Sequence, residues 1–224
     1  MMDASPLTST ILFHIGPIPI SRAVMTTWGL MLALPLGSWL LTRQLGRDSG
    51  RLQAVLETVV VGILEQISEV AGKSARSMLP LLATLFLFIA TANSTGILPG
   101  MEAPTARIET AAALAAVVFV SVHFYGIRAR GLLGYLAGFA KPKLIMLPLN
   151  LLSEITRTLS LMVRLFGNVM SGEFMIALVL ALAGLFVPIP LMALELLLGL
   201  VQAYIFAILA GVFIGAAINA QQQT

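Results

Sequence analysis

Long stretches without charged residues alternate with short charged segments along this 224-residue chain. A membrane-spanning helix needs about 20 predominantly apolar residues, so the pattern predicts an all-α integral membrane protein with five membrane helices. These are predicted at residues 23–42, 77–100, 105–127, 144–186 and 189–220. Residues 1–22 contain prolines and a glycine and are predicted to form a short extended lead-in. The whole chain is interpreted as one transmembrane domain.

The last two predicted helices are unusually long and are separated by the sequence VPIP. Pro188 and Pro190 in this sequence end or kink a helix. A helix of about 40 residues is about 60 Å long, which is about twice the hydrocarbon thickness of a bilayer. We therefore expect the two helices to form a hairpin and to be strongly tilted, bent or broken.

Residues 51–73 show a different pattern, with apolar residues recurring at helical spacing along one face. Glu65, Glu69 and Lys73 recur every fourth residue on another face. This arrangement predicts an amphipathic helix on the membrane surface. The alternative is a sixth span, which the three glutamates of the segment disfavour.

The distribution of basic residues predicts the orientation of the chain. Basic side chains cluster in 43–76 and again in 128–143, whereas the loop 93–107 holds a single one. Cytoplasmic loops carry an excess of Lys and Arg, so the N-terminus is expected outside, the VPIP turn near the outer face, and the C-terminus in the cytoplasm. The N-terminus has no basic n-region and is not expected to be a cleaved signal.

The composition agrees with a membrane protein and excludes several other classes. Only 10% of the residues are charged, against about 25% in soluble domains. The net charge of +3 comes from scattered basic residues, which does not indicate nucleic-acid binding. The absence of cysteine excludes disulfides and thiol chemistry. His14 and His123 are far apart, so no metal or cofactor is expected, and His123 is assigned an interfacial or packing role.

Charged and polar residues within apolar spans are candidates for function. The set comprises Glu154, Arg157, Arg164, Asn168, Glu173, Glu195 and Gln202. At about 100° per residue, Arg157, Arg164 and Asn168 share one face, whereas Glu173 lies about 180° from Arg164. Because a guanidinium stays protonated, Arg164 can be a fixed positive barrier or the partner of a passing carboxylate. A static ion pair with Glu154 or another internal acid is the alternative.

The last helix carries two further patterns. Glu195 and Gln202 share a face, and a buried carboxylate that binds and releases a proton suits an ion relay. Every fourth residue after Glu195 is small: Gly199, Ala203, Ala207, Gly211 and Gly215. Such a row lets helix backbones approach closely. Helix packing alone is the simplest interpretation of this row, but it does not account for Glu195.

Four sequence blocks, in chain order, resemble one known family. RLFGNVMSGE, with the preceding SL, is similar to the central motif of the a subunit of F-type ATP synthases. The other blocks are MLPLLATLFLFIATANSTGILPG (78–100), PTARIETAAALA (104–115) and VQAYIFAIL (201–209). The resemblance covers roughly 78–215, and the combination of blocks is highly specific.

The resemblance implies a role for each polar residue. Arg164 would be the essential arginine facing the rotor ring, and Asn168 its polar neighbour. Glu173 and Glu195 would line the two half-channels of the ion path, and Gln202 would face the arginine region. The expected partners are the c-ring proteolipids, the peripheral-stalk b subunits, the remaining ATP synthase subunits and the lipid of a bacterial inner membrane. The subunit is expected to translocate ions and not to be an enzyme by itself.

Several positions depart from the family pattern. Met162 stands where a small residue is usual, and Thr158 where many members have proline. Both channel positions are glutamate here, whereas some members pair glutamate with histidine. The departures suggest a divergent branch, such as the alternate F-type ATPases that can use sodium, and they leave proton and sodium both open.

Two other functions are alternatives to this one. A secondary transporter with its substrate on Arg164 would more commonly show paired repeats, and none is visible. A scaffold subunit without an ion path does not explain the charges within the spans.

Overall fold

The computed structural model describes residues 11–15, 18–44, 54, 58, 61–62, 65, 75–96, 103–140, 146–184 and 186–219. Two short antiparallel strands, β1 (Ile11–Ile15) and β2 (Ile18–Ser21), precede the helices. The described part of the predicted extended lead-in (1–22) is therefore extended, and its two strands form backbone hydrogen bonds with each other. Pairing satisfies backbone N–H and C=O groups that a single extended segment leaves open.

In the part of the chain that the structure describes, five long helices follow, and a short 3-10 turn lies at Pro104–Ala106. They are α1 (Arg22–Gln44), α2 (Ala75–Thr95), α3 (Ile108–Ala140), α4 (Met146–Ala183) and α5 (Pro188–Asn219). Within the described residues, five helices are long and apolar enough to cross a membrane. The prediction of an all-α membrane protein with five membrane helices is confirmed.

The predicted surface helix at 51–73 lies mostly outside the described residues. Five residues of this segment are described, and all of them are helical and exposed: Ala54, Thr58, Val61, Gly62 and Glu65. The location of this segment on the membrane surface stays a prediction.

Helix α5 is the centre of the bundle, because it packs against α2, α3 and α4 and its contact with α2 is the most extensive. The buried core is built from aliphatic and aromatic side chains of these four helices, among them Met78, Leu82, Ile89, Leu165 and Phe206. Helix α1 makes only limited contacts, and its large side chains Trp28, Leu32 and Leu36 are exposed. Exposed apolar side chains of this kind are compatible with a lipid environment.

Helices α4 and α5 form the predicted hairpin. Gly184 follows the last residue of α4 with a φ of 79°, the left-handed conformation that commonly ends a helix at glycine. Pro188 is the first residue of α5, a position where proline is favoured because its missing N–H would have no partner within the helix.

A glycine also bends α3. Gly131 has φ 73° and ψ 162°, a conformation that is essentially restricted to glycine. The chain after it folds back, so that a Cβ at Gly126 would lie 2.9 Å from Cδ2 of Tyr135. The Tyr135 ring meets the His123 ring edge-on, with centroids 5.8 Å apart, and the Phe119 centroid lies 4.3 Å from that of His123. His123 therefore lies in an aromatic cluster at the kink.

Candidate functional site

Arg164 lies on the outside of the helical bundle. Leu161, Leu165 and Val169 recur every fourth residue of α4 and are buried, so they define the face of α4 that packs on the bundle. This packing turns Arg164 outward, and its side chain is exposed near the middle of the apolar stretch Leu147–Ala183. Asn168, one turn further on, is half-buried.

Arg164 makes no ion pair with any described acidic residue. Glu154 pairs instead with Arg157, with Oε2 and Nη1 3.8 Å apart. The static pair between Arg164 and Glu154 is therefore absent. A charged side chain on an apolar membrane helix is costly without a partner, and the described residues supply no acidic partner for Arg164.

A groove lies on the N-terminal side of Arg164 along α4. Its cavity volume is about 460 Å³, and it is lined by Leu149, Leu152, Ser153, Thr156, Arg157, Ser160 and Phe213. The Arg157 guanidinium lies 5.6 Å from the centroid of the Phe213 ring, so this cation stands where α4 meets α5. The three hydroxyl residues were not among the sequence candidates. Their spacing along one face of α4 is the signal that could have found them.

Glu173 lies on the C-terminal side of Arg164 and points in a different direction. Its half-buried carboxylate accepts a hydrogen bond from the backbone N–H of Ala103, with 3.3 Å between N and Oε1. The same oxygen would lie 3.6 Å from a Cβ at Gly96. Glu173 therefore faces the 3-10 turn and the end of α2, not Arg164.

Glu195 reaches across the hairpin from α5 to α4. Its half-buried carboxylate lies directly over Gly172, where an added Cβ would meet Oε1 and would be 2.7 Å from Cδ and 3.0 Å from Cγ. Because Gly172 precedes Glu173, the structure brings the two glutamates to the same level of the hairpin. A side chain added at position 172 would displace the Glu195 carboxylate from this place.

Beside these carboxylates lies a buried polar group that the sequence candidates did not include. Asn93 of α2 donates a hydrogen bond from Nδ2 to the carbonyl oxygen of Gly199, at 2.8 Å, and Thr105 donates from Oγ1 to Asn93 Oδ1, at 2.6 Å. Both side chains are buried. The signal available in the sequence was a lone amide within an apolar span.

Gln202 is also buried, and its Nε2 has no hydrogen-bond partner among the described residues. The small residues of α5 face the bundle and are all buried: Gly199, Ala203, Ala207, Gly211 and Gly215. The structure therefore brings Glu173 and Glu195 together with Asn93 and Thr105. Arg164 lies apart from them, on the outside of the helical bundle.

Comparisons with known proteins identify the family. The model of the family described as ATP synthase A chain matches residues 24–215. The chain is 65% identical over 218 residues to ATP synthase subunit a 2 of Bradyrhizobium sp. strain BTAi1, across 97% of this chain and 98% of that protein. It is 48% identical to ATP synthase subunit a 2 of Pelobacter propionicus, across 95% and 93% of the two chains. It is 46% identical to ATP synthase subunit a 1 of Chlorobaculum parvum, across 96% of each.

These matches extend over nearly the whole chain, and the fold has the membrane helices that such a subunit needs. The chain is thus a multi-pass integral membrane protein that belongs to the ATP synthase A chain family, the non-catalytic, ion-translocating membrane subunit of the rotary F-type ATP synthase.

Proposed function

We propose that this chain is the stator subunit that leads protons or sodium ions past a ring of c subunits through two offset half-channels. Its further partners would be the peripheral-stalk b subunits. The observation that carries the proposal is the exposed Arg164 with polar recesses before and after it along α4. The described helices pack against α4 without a ring, whereas Arg164 has no acidic partner among the described residues.

The two recesses supply the entry and exit of the ion. The groove lined by Ser153, Thr156 and Ser160 precedes Arg164 along α4, and Glu173 with Glu195 follows it. With the N-terminus outside and the C-terminus cytoplasmic, as the basic loops favour, the groove opens inward and the glutamates outward. An ion must then leave one recess and travel on the ring to reach the other.

The role proposed for Arg164 is to attract a ring carboxylate that has released its ion. A ring carboxylate that has bound its ion is neutral and can face lipid at a tolerable cost. Two unit charges 4 Å apart attract by about 4 kcal/mol at an effective dielectric constant of 20, which favours release of the ion beside Arg164 without trapping the ring. The membrane potential supplies about 2.3 kcal/mol per charge per 100 mV. Asn168 and Gln202 are proposed to adjust the polarity of this path.

Replacement of Arg164 tests the proposal. In membrane vesicles that contain the assembled complex, Arg164→Ala is expected to abolish ATP-driven ion pumping. Arg164→Lys should restore it poorly, because a compact ammonium lacks the planar fork of the guanidinium. Arg43→Ala is the matched control, since Arg43 is an exposed arginine at the end of α1. Wild-type coupling in Arg164→Ala vesicles would overturn the proposal.

Two further measurements separate the alternatives. A secondary transporter would work without a ring, so co-purification of a ring of small two-helix proteolipids with this chain supports the stator function. Pumping measured in sodium-free buffer decides the ion, because a sodium-specific complex stops there and a proton-specific one continues.

A further inference from the structure

The contact between α2 and α5 is extensive, and it includes a close approach at Gly199. The row of α5 that begins at Gly199 has glycine or alanine at every fourth position, up to Gly215. A small-residue surface permits close approach. Along this row alone, a slip by one helical turn, about 5.4 Å, exchanges one small residue for another. Large core side chains such as Phe206 oppose a slip, and a directional hydrogen bond can fix the register within that packing.

Asn93 makes a contact that no neighbouring register reproduces. Its Nδ2 donates to the main-chain oxygen of Gly199 at 2.8 Å, and a Cβ at Gly199 would lie only 2.9 Å from Cβ of Asn93. One turn further on, Ala203 already carries such a Cβ. The amide therefore fits against glycine and is obstructed by alanine.

The orientation of the amide is also fixed. Thr105 donates its hydroxyl to Asn93 Oδ1 at 2.6 Å, so the oxygen is occupied and the NH₂ group must point to α5. Thr105 has no exposed surface, and Asn93 is 9% exposed. In such a site the loss of either partner leaves a buried polar group unsatisfied.

The same turn also holds α4. Thr105 lies in the turn Pro104–Ala106, and the adjacent Ala103 donates its N–H to Glu173 Oε1 at 3.3 Å. Hydrogen bonds from α2 and the turn thus reach one residue of α4 and one of α5, in addition to the packing between the two long helices.

We propose that Asn93 and Thr105 form a register clamp, which fixes the axial and rotational position of α5 relative to α2 and α4. Asn93 is then a positioning residue that holds Glu195 over Gly172 and keeps Gln202 at its depth. The consequence for ion transport rests on the proposed function, whereas the register itself does not.

A cysteine pair measures the register. The chain has no cysteine, so Gly172→Cys with Glu195→Cys gives a single reporter pair. A Cβ at position 172 lies 3.0 Å from the Glu195 Cγ, which is compatible with the Cβ separation of about 3.5–4.5 Å in a disulfide. Removal of the Glu195 carboxylate also makes room for the new side chain. The yield of oxidative cross-linking is measured in membranes at equal amounts of assembled complex.

Loss of one buried hydrogen bond is expected to shift the equilibrium between registers about fivefold against the native one, and the cross-linking yield should fall accordingly. Asn93→Ala and Thr105→Val should both do so, and Thr105→Ser should retain the yield because it keeps the hydroxyl. Ser94→Ala is the matched control, since Ser94 bonds only to Ala90 O of its own helix, at 2.7 Å.

The outcomes are distinct. Unchanged cross-linking in both Asn93→Ala and Thr105→Val overturns the clamp, and the near-isosteric Thr105→Val decides the matter if Asn93→Ala fails to assemble. With the native glutamates in place, Asn93→Ala is expected to lower ATP-driven pumping. Normal pumping despite lost cross-linking would refute the positioning role. A failure of the proposed function would be seen in a different variant, as ATP-driven pumping that is retained in Arg164→Ala.

Discussion

Alanine at Gly199 tests a close approach between helices α2 and α5. The added Cβ would lie 2.9 Å from Asn93 Cβ and 3.4 Å from its Nδ2, whereas carbon atoms normally pack at about 3.5–4.0 Å. Neither Cβ can rotate away, because both are attached directly to helix backbones. Helices α2 and α5 must therefore separate by roughly 0.6–1 Å to reach that spacing.

The separation has a cost that can be bounded. Overpacking of this kind costs about 1–3 kcal/mol. The same movement stretches the 2.8 Å bond from Asn93 to the Gly199 carbonyl past the usual limit of about 3.2 Å. An unsatisfied buried group adds about 1–3 kcal/mol, and alanine recovers up to about 1 kcal/mol in helix propensity. We expect a net loss of about 1–6 kcal/mol in the free energy of unfolding.

Titration with SDS of the detergent-purified chain, followed by circular dichroism, measures this loss. Gly37→Ala is the control, because Gly37 lies in α1 and an added Cβ there meets nothing within 4 Å. That variant is expected to be as stable as the parent or more stable by up to about 1 kcal/mol. If Gly199→Ala unfolds at the same SDS fraction as Gly37→Ala, the packing argument is refuted.

Two further predictions concern the ion path and the kink. Glu173→Gln and Glu195→Gln are each expected to lower ion flux partially and to different extents. The reason is that an amide keeps the size of the side chain but does not take up and release protons. Unchanged ion flux in both variants would show that neither glutamate lies on the ion path. Gly131→Ala should lower the free energy of unfolding by about 1–3 kcal/mol, since its backbone conformation is essentially restricted to glycine. The SDS titration measures the loss of unfolding free energy in Gly131→Ala, and Leu132→Ala, at the exposed neighbouring residue, is the control. An equal loss in the two variants would contradict the prediction.

The number of membrane helices could be predicted because a lipid environment imposes a strong local rule. A run of about 20 residues without charge is visible in the sequence whatever lies next to it. The outward direction of Arg164 is also local, because the spacing of Leu161, Leu165 and Val169 defines the inner face of α4.

The polar group around Asn93 could not be predicted in the same way. Its bond to Gly199 joins residues 106 positions apart, and the bond from Thr105 spans 12, so no helical period relates them. The groove was missed for another reason. Thr156 donates a hydrogen bond to the carbonyl oxygen of Leu152 in its own helix, at 2.8 Å. Hydroxyl residues bonded in this way also occur in helices that have no functional site, so their presence in the sequence does not indicate one.

The exposed position of Arg164 also bears on how a cell handles this chain before assembly. A lone arginine at the centre of a membrane helix costs about 2.5–3.5 kcal/mol on insertion scales, and the unassembled chain carries that cost. A partner that brings a carboxylate to this face removes it and shifts the equilibrium toward the folded chain by mass action. Chains without such a partner are then expected to be less stable than assembled ones and more open to degradation by quality-control proteases. The same arginine would thereby link the lifetime of each copy to its incorporation into a complex.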